Sequence, residues 1–350
     1  MDNSSQRKIL RVSPACEIPQ LAGEITSALV GDGPTLGFGD ITSESAAHYA
    51  AVVIGTSGSS GSPKEVALTA TALISSARAS NKFINAKPGE TWSLLLPLTH
   101  IAAVNVIVRS IELGTLPIDL RNYEGEYPKV DYTSIVPTQL FRALNGDVRL
   151  LNHLKSAKTV LVGGAALSQS LRNQAELAGI KVITTYGMTE TCGGCVYDGE
   201  VLDGVEVEIR NGKINIRGPI LASSISLDAG WYETSDLGEI VDEKLLVLGR
   251  ADDVIISGGE NLSLHAVEES LSKAFPDIQS AAFAIEDPQW GHSLQIAIVG
   301  EVSDELISSH LEKELGAFAK PKGIHHLASL PLLGIGKVDR KALAKGISHE

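Results

Sequence analysis

Residues 54–66 read I-G-T-S-G-S-S-G-S-P-K-E-V. Glycines at 55, 58 and 61 let the backbone take positive φ and approach a ligand closely. Consecutive N–H groups in such a loop form an anion nest. Thr56, Ser57, Ser59, Ser60 and Ser62 add hydroxyl donors around Gly61, and Lys64 adds a point charge. This chemistry suits a polyphosphate. The competing reading is a flexible Gly/Ser linker. Two features oppose it: the apolar run 51–54 enters the loop like a buried strand, and Pro63-Lys64 stiffens the exit. The Walker pattern is absent, because Ser62 rather than a lysine follows Gly61.

Four further stretches carry matching chemistry. In 184–190, T-T-Y-G-M-T-E, Tyr186 offers a ring for a base and Gly187 a close backbone approach. Thr189 is an oxyanion donor and Glu190 a ligand for a hard cation; Mg2+ favours one or two carboxylates plus substrate phosphates. A strand–turn–helix with a capping glutamate fits the same letters. Asp236, within W-Y-E-T-S-D-L-G, either binds a ligand or caps a turn. Residues 249–261, G-R-A-D-D-V-I-I-S-G-G-E-N, read alone as a domain linker and a glycine turn. Residues 333–341, L-G-I-G-K-V-D-R-K, read alone as a basic, solvated tail.

The elements that must position these stretches alternate. Runs at 92–96, 130–136, 159–162 and 181–184 read as strands. Segments 69–85, 101–113, 139–145 and 168–178 read as helices, with Thr69 and Ser168 as N-caps and Gly114 ending the second. Alternation of this kind predicts an α/β architecture, with ligands gathered beyond the carboxyl ends of the strands. The phosphate loop, His100, Gly163-Gly164-Ala165 and Tyr186 all fall there. Residues 201–248 predict an antiparallel β section, and the chain after Gly249-Arg250 a small α+β unit of roughly one hundred residues, with helices at 263–275 and 304–315. Residues 1–50 show little beyond a turn at 31–34 and a short connector at 44–49.

At 350 residues and 43% apolar content, two domains are expected. A net charge of −13 opposes a general nucleic-acid or membrane-surface binder. No apolar run is long enough to span a bilayer, and residues 1–11 lack the apolar core of a secretory signal. Three cysteines, Cys16, Cys192 and Cys195, suggest reduced thiols and a cytoplasmic setting. The pair Cys192-Gly-Gly-Cys195 lacks the partners of a zinc site, and small side chains lining a cleft are the expectation.

Taken in order, the five stretches resemble the adenylate-forming superfamily, which includes acyl- and aryl-CoA ligases. The resemblance implies a large N-terminal domain of α/β subdomains plus a β section (1–249), a hinge (250–252) and a small mobile α+β C-terminal domain (253–350), with a shortened N-terminus. It implies ATP, Mg2+ and coenzyme A as partners, with no nucleic acid and no membrane insertion, and dimerisation through the large domain. It assigns Thr56, Ser57, Ser59, Ser60, Gly61 and Lys64 to the phosphates, and Gly163, Gly164, Ala165, Tyr186 and Gly187 to the nucleotide. Thr189 goes to phosphate, Glu190 to Mg2+, and Asp236 to both ribose hydroxyls, although Ser235 replaces the glycine of the family's T-G-D-x-G. Arg250 would touch the ribose and Asp252 would be the pivot. Gly258 and Gly259 would border the pantetheine tunnel, where the frequent lysine at position 256 is an isoleucine. Lys337 would be the adenylation lysine.

Residues 97–101, P-L-T-H-I, lack the aspartate with which peptide-synthetase domains hold an α-amine, so an amino acid is disfavoured. His100 resembles the gate residue of aryl- and acyl-CoA ligases; a satisfied loop histidine fits equally. The compact plan, the run 185–199 and V-P-T-Q-L at 136–140 resemble the short o-succinylbenzoate–CoA ligases of menaquinone biosynthesis. That resemblance implies 2-succinylbenzoate as the acid. Cys192 and Gly193 would shape the aromatic pocket, and Arg109 or Arg142 would meet the second carboxylate. The alternatives are another aryl- or acyl-CoA ligase, a phosphotransferase that would release ADP, and a non-catalytic binding protein.

Overall fold

The computed structural model describes residues 6–57, 63–257, 260–287, 291–333 and 338–347. Residues 6–50 hold strands and a helix where the sequence showed only a turn and a short connector. Strands Gln6–Arg11, Thr35–Phe38 and Ala50–Ser57 run parallel, and Ser45–Ala47 pairs antiparallel with Gln6–Arg11. Helix Ile18–Val30 buries Ile18, Leu21, Ala22, Ile25 and Ala28, a helical spacing, and stops at Gly31 with φ 87°. Ser45–Ala47 corrects the reading of 44–49 as a mere connector. Three residues are too few to show an alternation.

Strand Ala50–Ser57 turns back as Pro63–Thr69 in antiparallel pairing, with Thr56 opposite Lys64. The phosphate loop is therefore carried by a hairpin whose stem is buried at Val52, Ile54, Val66 and Leu68. Helix Ala70–Phe83 follows directly, and Thr69 Oγ1 accepts from Ala72 N at 3.0 Å.

A second sheet has seven strands. From one edge they are Glu200–Val201, Gly193–Tyr197, Val182–Met188, Thr159–Val162, Tyr132–Ile135, Trp92–Leu94 and Ile118–Asp119. The last five run parallel, as α/β alternation requires, and the first two are antiparallel additions. Helices Ile101–Glu112, Pro137–Leu144 and Gln169–Leu177 connect them. A four-stranded antiparallel sheet follows: Glu206–Arg210, Lys213–Arg217, Tyr232–Val241 and Lys244–Arg250.

Beyond Arg250 the chain builds strands Val254–Ser257, Glu260–Ser263, Gln279–Asp287, Gly291–Val299 and Gly323–His326 with helices Leu264–Ala274, Asp304–Leu315 and Arg340–Ile347. Its buried side chains, from Ile255 to Leu343, form clusters of their own. The main core runs from Ile18 to Leu245. Among the described residues no helix is long and apolar enough to cross a membrane.

Candidate active site

Parallel strands deliver their following loops to one edge of the sheet, and close backbone contacts draw those loops together. A Cβ at Gly39 would lie 3.1 Å from both Gly55 O and Thr99 O. The entry to the phosphate loop therefore abuts the segment before His100. A Cβ at Gly163 would lie 2.2 Å from Thr185 Oγ1, and one at Gly187 2.0 Å from Gly193 O. Only glycine fits at 163 and 187 with the strands this close. Ala165 follows this turn and is exposed.

At the phosphate end, Lys64 Nζ sits 3.5 Å from Glu190 Oε1, across 126 residues of sequence. Glu190 is held by its backbone, whose carbonyl accepts from Ala222 N at 2.8 Å. Its side chain is mostly buried, so its charge is little screened and suits a cation. Thr189 opens the short 3-10 turn Thr189–Thr191 beside it. Thr56 Oγ1 donates to Lys64 O at 3.0 Å and squares the base of the hairpin. Tyr232 stands close enough that Glu190, after burial, helps push its hydroxyl up to about 12.

Around Asp236, Tyr186 OH donates to Asp236 Oδ2 at 2.8 Å. Burial, then the Asp236 charge, raises that phenol far above its ordinary range. Asp236 is 9% exposed. Its N–H donates to Thr234 Oγ1 at 3.0 Å, which donates onward to Ile214 O at 2.9 Å. Strand alternation turns Thr234 and Asp236 inward and Ser235 outward. That is why a serine sits where the family pattern has glycine without touching the site. Asp236 and Arg250 are cross-strand partners, with Arg250 Nη1 3.8 Å from Asp236 Oδ1. The same guanidinium grips Asp252 through Nε at 2.7 Å and Nη2 at 2.8 Å. This bond holds Asp252 below the usual carboxylate range and raises Arg250.

The surroundings of Arg109 are different. Arg109 lies near the end of helix Ile101–Glu112, about 14 Å along the axis from His100 at its N-cap. It is 4% exposed. Its Nη2 donates to Tyr197 OH at 3.0 Å, its Nη1 lies 3.5 Å from Ser134 Oγ, and its plane sits 5.2 Å from the Trp92 ring centre. Nε has no hydrogen-bond partner, and among the described residues no carboxylate pairs with this cation. Cys192 and Gly193 pack on the same helix. Asn105 Nδ2 donates to Cys192 O, and a Cβ at Gly193 would lie 2.2 Å from Asn105 Nδ2. Cys192 is wholly buried in the main core, and burial pushes its thiol up and that of Cys195 to about 12. Both are therefore protonated core residues, not exposed cleft walls. Arg142 does not join this group. It is exposed on helix Pro137–Leu144 and pairs with Asp147 at 3.0 Å.

Ser59, Ser60, Gly61, Gly258, Gly259 and Lys337 lie outside the described residues. For Ser57 the backbone alone is described, ending its strand. Sequence reading missed Trp92, Tyr197, Thr234 and Tyr232. The available signal was a polar tip in a buried apolar strand, which must find a partner.

The AMP-binding enzyme family profile matches residues 18–220. The chain belongs to the AMP-binding enzyme family. A probable 2-succinylbenzoate–CoA ligase of Mycobacterium tuberculosis is 38% identical, over 86% of this chain and 85% of its own length. An Escherichia coli MenE variant with bound OSB-AMS superposes with TM-score 0.75 at 26% identity, covering 98% of this chain and 82% of its own. The o-succinylbenzoate coenzyme A synthetase of Bacillus subtilis in complex with AMP gives TM-score 0.71 at 26% identity, covering 84% and 69%. The mixed α/β fold described above is that of these adenylate-forming enzymes.

Proposed function

We propose that the protein is an ATP-dependent acid–thiol ligase converting 2-succinylbenzoate and coenzyme A to 2-succinylbenzoyl-CoA, with release of AMP and pyrophosphate. The observation that carries the choice of acid is Arg109. A guanidinium this buried costs several kcal/mol unless it is paired, and no carboxylate of the described chain pairs with it. The second carboxylate of 2-succinylbenzoate supplies that partner. Its reacting carboxylate then lies toward His100 and the phosphates.

In the first half-reaction the carboxylate oxygen bonds to the α-phosphorus and pyrophosphate leaves. Thr56, Ser57, Ser59, Ser60, Gly61 and Lys64 hold the departing phosphates, with Thr189 donating beside them. Gly163, Gly164, Ala165 and Gly187 line the nucleotide, Tyr186 faces the base, and Asp236 and Arg250 meet the ribose. Glu190, a mostly buried carboxylate, would hold Mg2+, which would supply neutralisation of the phosphate charge. Lys337 adds a cation at the α-phosphate. In the second half-reaction the CoA sulfur bonds to the activated carbonyl carbon and AMP leaves.

Residues 253–350 form a mobile unit that turns at Asp252, presenting Lys337 first and Gly258-Gly259 afterwards. The free thiols Cys16, Cys192 and Cys195 fit a cytoplasmic setting, and the family resemblance supports dimerisation through the large domain.

Incubation with ATP, CoA and a panel of acids, read by mass spectrometry, tests the activity. The expected product is 2-succinylbenzoyl-CoA together with AMP. Preference for benzoate or a fatty acid would move the protein to another CoA ligase, and ADP in place of AMP would make it a phosphotransferase.

A further inference from the structure

Tyr186 does more than offer a ring. It belongs to strand Val182–Met188 of the seven-stranded sheet, whereas Asp236 belongs to strand Tyr232–Val241 of the four-stranded sheet. Their 2.8 Å hydrogen bond therefore ties the two sheets at the sugar end of the site. Asp236 is 9% exposed, and a carboxylate taken that far from water needs fixed donors. Arg250 faces its other oxygen, Oδ1, from 3.8 Å, too far for a good hydrogen bond. Of the two, the phenol makes the closer contact and fixes the tilt of the carboxylate plane. Burial and the Asp236 charge keep that phenol protonated, so it is a permanent donor.

We infer that the Tyr186 hydroxyl is a positioning group that aims Asp236 at the ribose and so gives the enzyme its preference for a nucleotide with both sugar hydroxyls. This rests on the reading of Asp236 as the ribose acceptor. Sites built to bond a substrate hydroxyl reject analogues that lack it, provided the acceptor stays aimed.

The test compares ATP with 3′-deoxy-ATP at saturating acid and CoA, in wild type, Tyr186→Phe and Asp236→Asn. Phenylalanine keeps the ring and removes only the donor. Tyr186→Phe is expected to lose about tenfold in kcat/KM for ATP, mainly through KM, and far less for 3′-deoxy-ATP. The ratio between the two nucleotides narrows accordingly. That ratio does not depend on how much of a preparation is folded, so a fold defect cannot produce the narrowing. Equal losses for both nucleotides, or no loss, would overturn the role of the tyrosine. Asp236→Asn that keeps the wild-type ratio would overturn the ribose reading itself, whatever Tyr186→Phe does.

Discussion

The two ends of the site handle charge in opposite ways. At the nucleotide end the charges are paired within the protein: Lys64 with Glu190, and Asp236 with Arg250, which also holds Asp252. At the acid end Arg109 is buried deeper than any of these and pairs with no acid among the described residues. A ligand at the nucleotide end must compete with existing partners, so it rearranges a network. A ligand at the acid end completes one. On the proposed function, the first end serves the nucleotide and the second selects the acid.

The largest expected effect tests the nucleotide end. Lys337→Ala should slow adenylate formation by roughly 10²–10³, measured as pyrophosphate release. Thioester formation from supplied acyl-adenylate should fall far less. Equal loss in both steps would remove Lys337 from the α-phosphate.

A smaller effect concerns the scaffold of the phosphate hairpin. Glu65 accepts from Thr42 N at 2.7 Å, Thr42 Oγ1 at 2.8 Å and Ser43 N at 3.0 Å. Burial pushes its carboxyl up, but these hydrogen bonds outweigh burial and hold it at about 2. A depressed folded value means stability that is present above the unfolded value, about 4.3, and is lost as pH falls through about 2. Glu65→Gln should therefore lower Tm on the order of 2 °C at pH 7, with the gap closing toward pH 2. A gap that persists at pH 2 would assign the effect to packing.

The smallest effect separates the two arginines. Arg142→Ala removes an exposed pair with Asp147, worth about 0–1 kcal/mol. Its kcat/KM for 2-succinylbenzoate should stay within about twofold of wild type. A loss as large as that expected for Arg109 would return Arg142 to the acid site.

The grouping of Lys64, Glu190, Tyr186, Asp236 and Arg250 was legible in the sequence because these residues sit in contiguous runs. A strand, its glycines and the acid after it arrive together, as in 184–190, and glycines 163 and 187 fill positions that no side chain could occupy. The acid end was not legible in the same way. Arg109, Trp92, Ser134 and Tyr197 come from separate elements, and only packing brings them together. Sequence placed Arg109 and Arg142 alike, on helices following parallel strands, and burial alone separates them. Residues 6–47 were missed for a related reason. Their strands are short, and Thr35–Phe38 is buried throughout, so it shows no alternation. Helices Leu264–Ala274 and Asp304–Leu315 were legible because each shows an apolar stripe, behind Ser263 and Ser303, whereas helix Arg340–Ile347 begins in a run that reads alone as a solvated tail.

The central claim is that the unpaired guanidinium of Arg109 is completed by the acid's second carboxylate. The direct measurement is kcat/KM for 2-succinylbenzoate and for benzoate, in wild type and in Arg109→Met. Removing one partner of a buried charged pair costs about 2–5 kcal/mol. The 2-succinylbenzoate value should therefore fall by roughly 10²-fold or more, while benzoate changes little. The Tm should not fall with it, because no ion pair among the described residues is lost. Equal losses for the two acids, or an unchanged preference for 2-succinylbenzoate, would contradict the account.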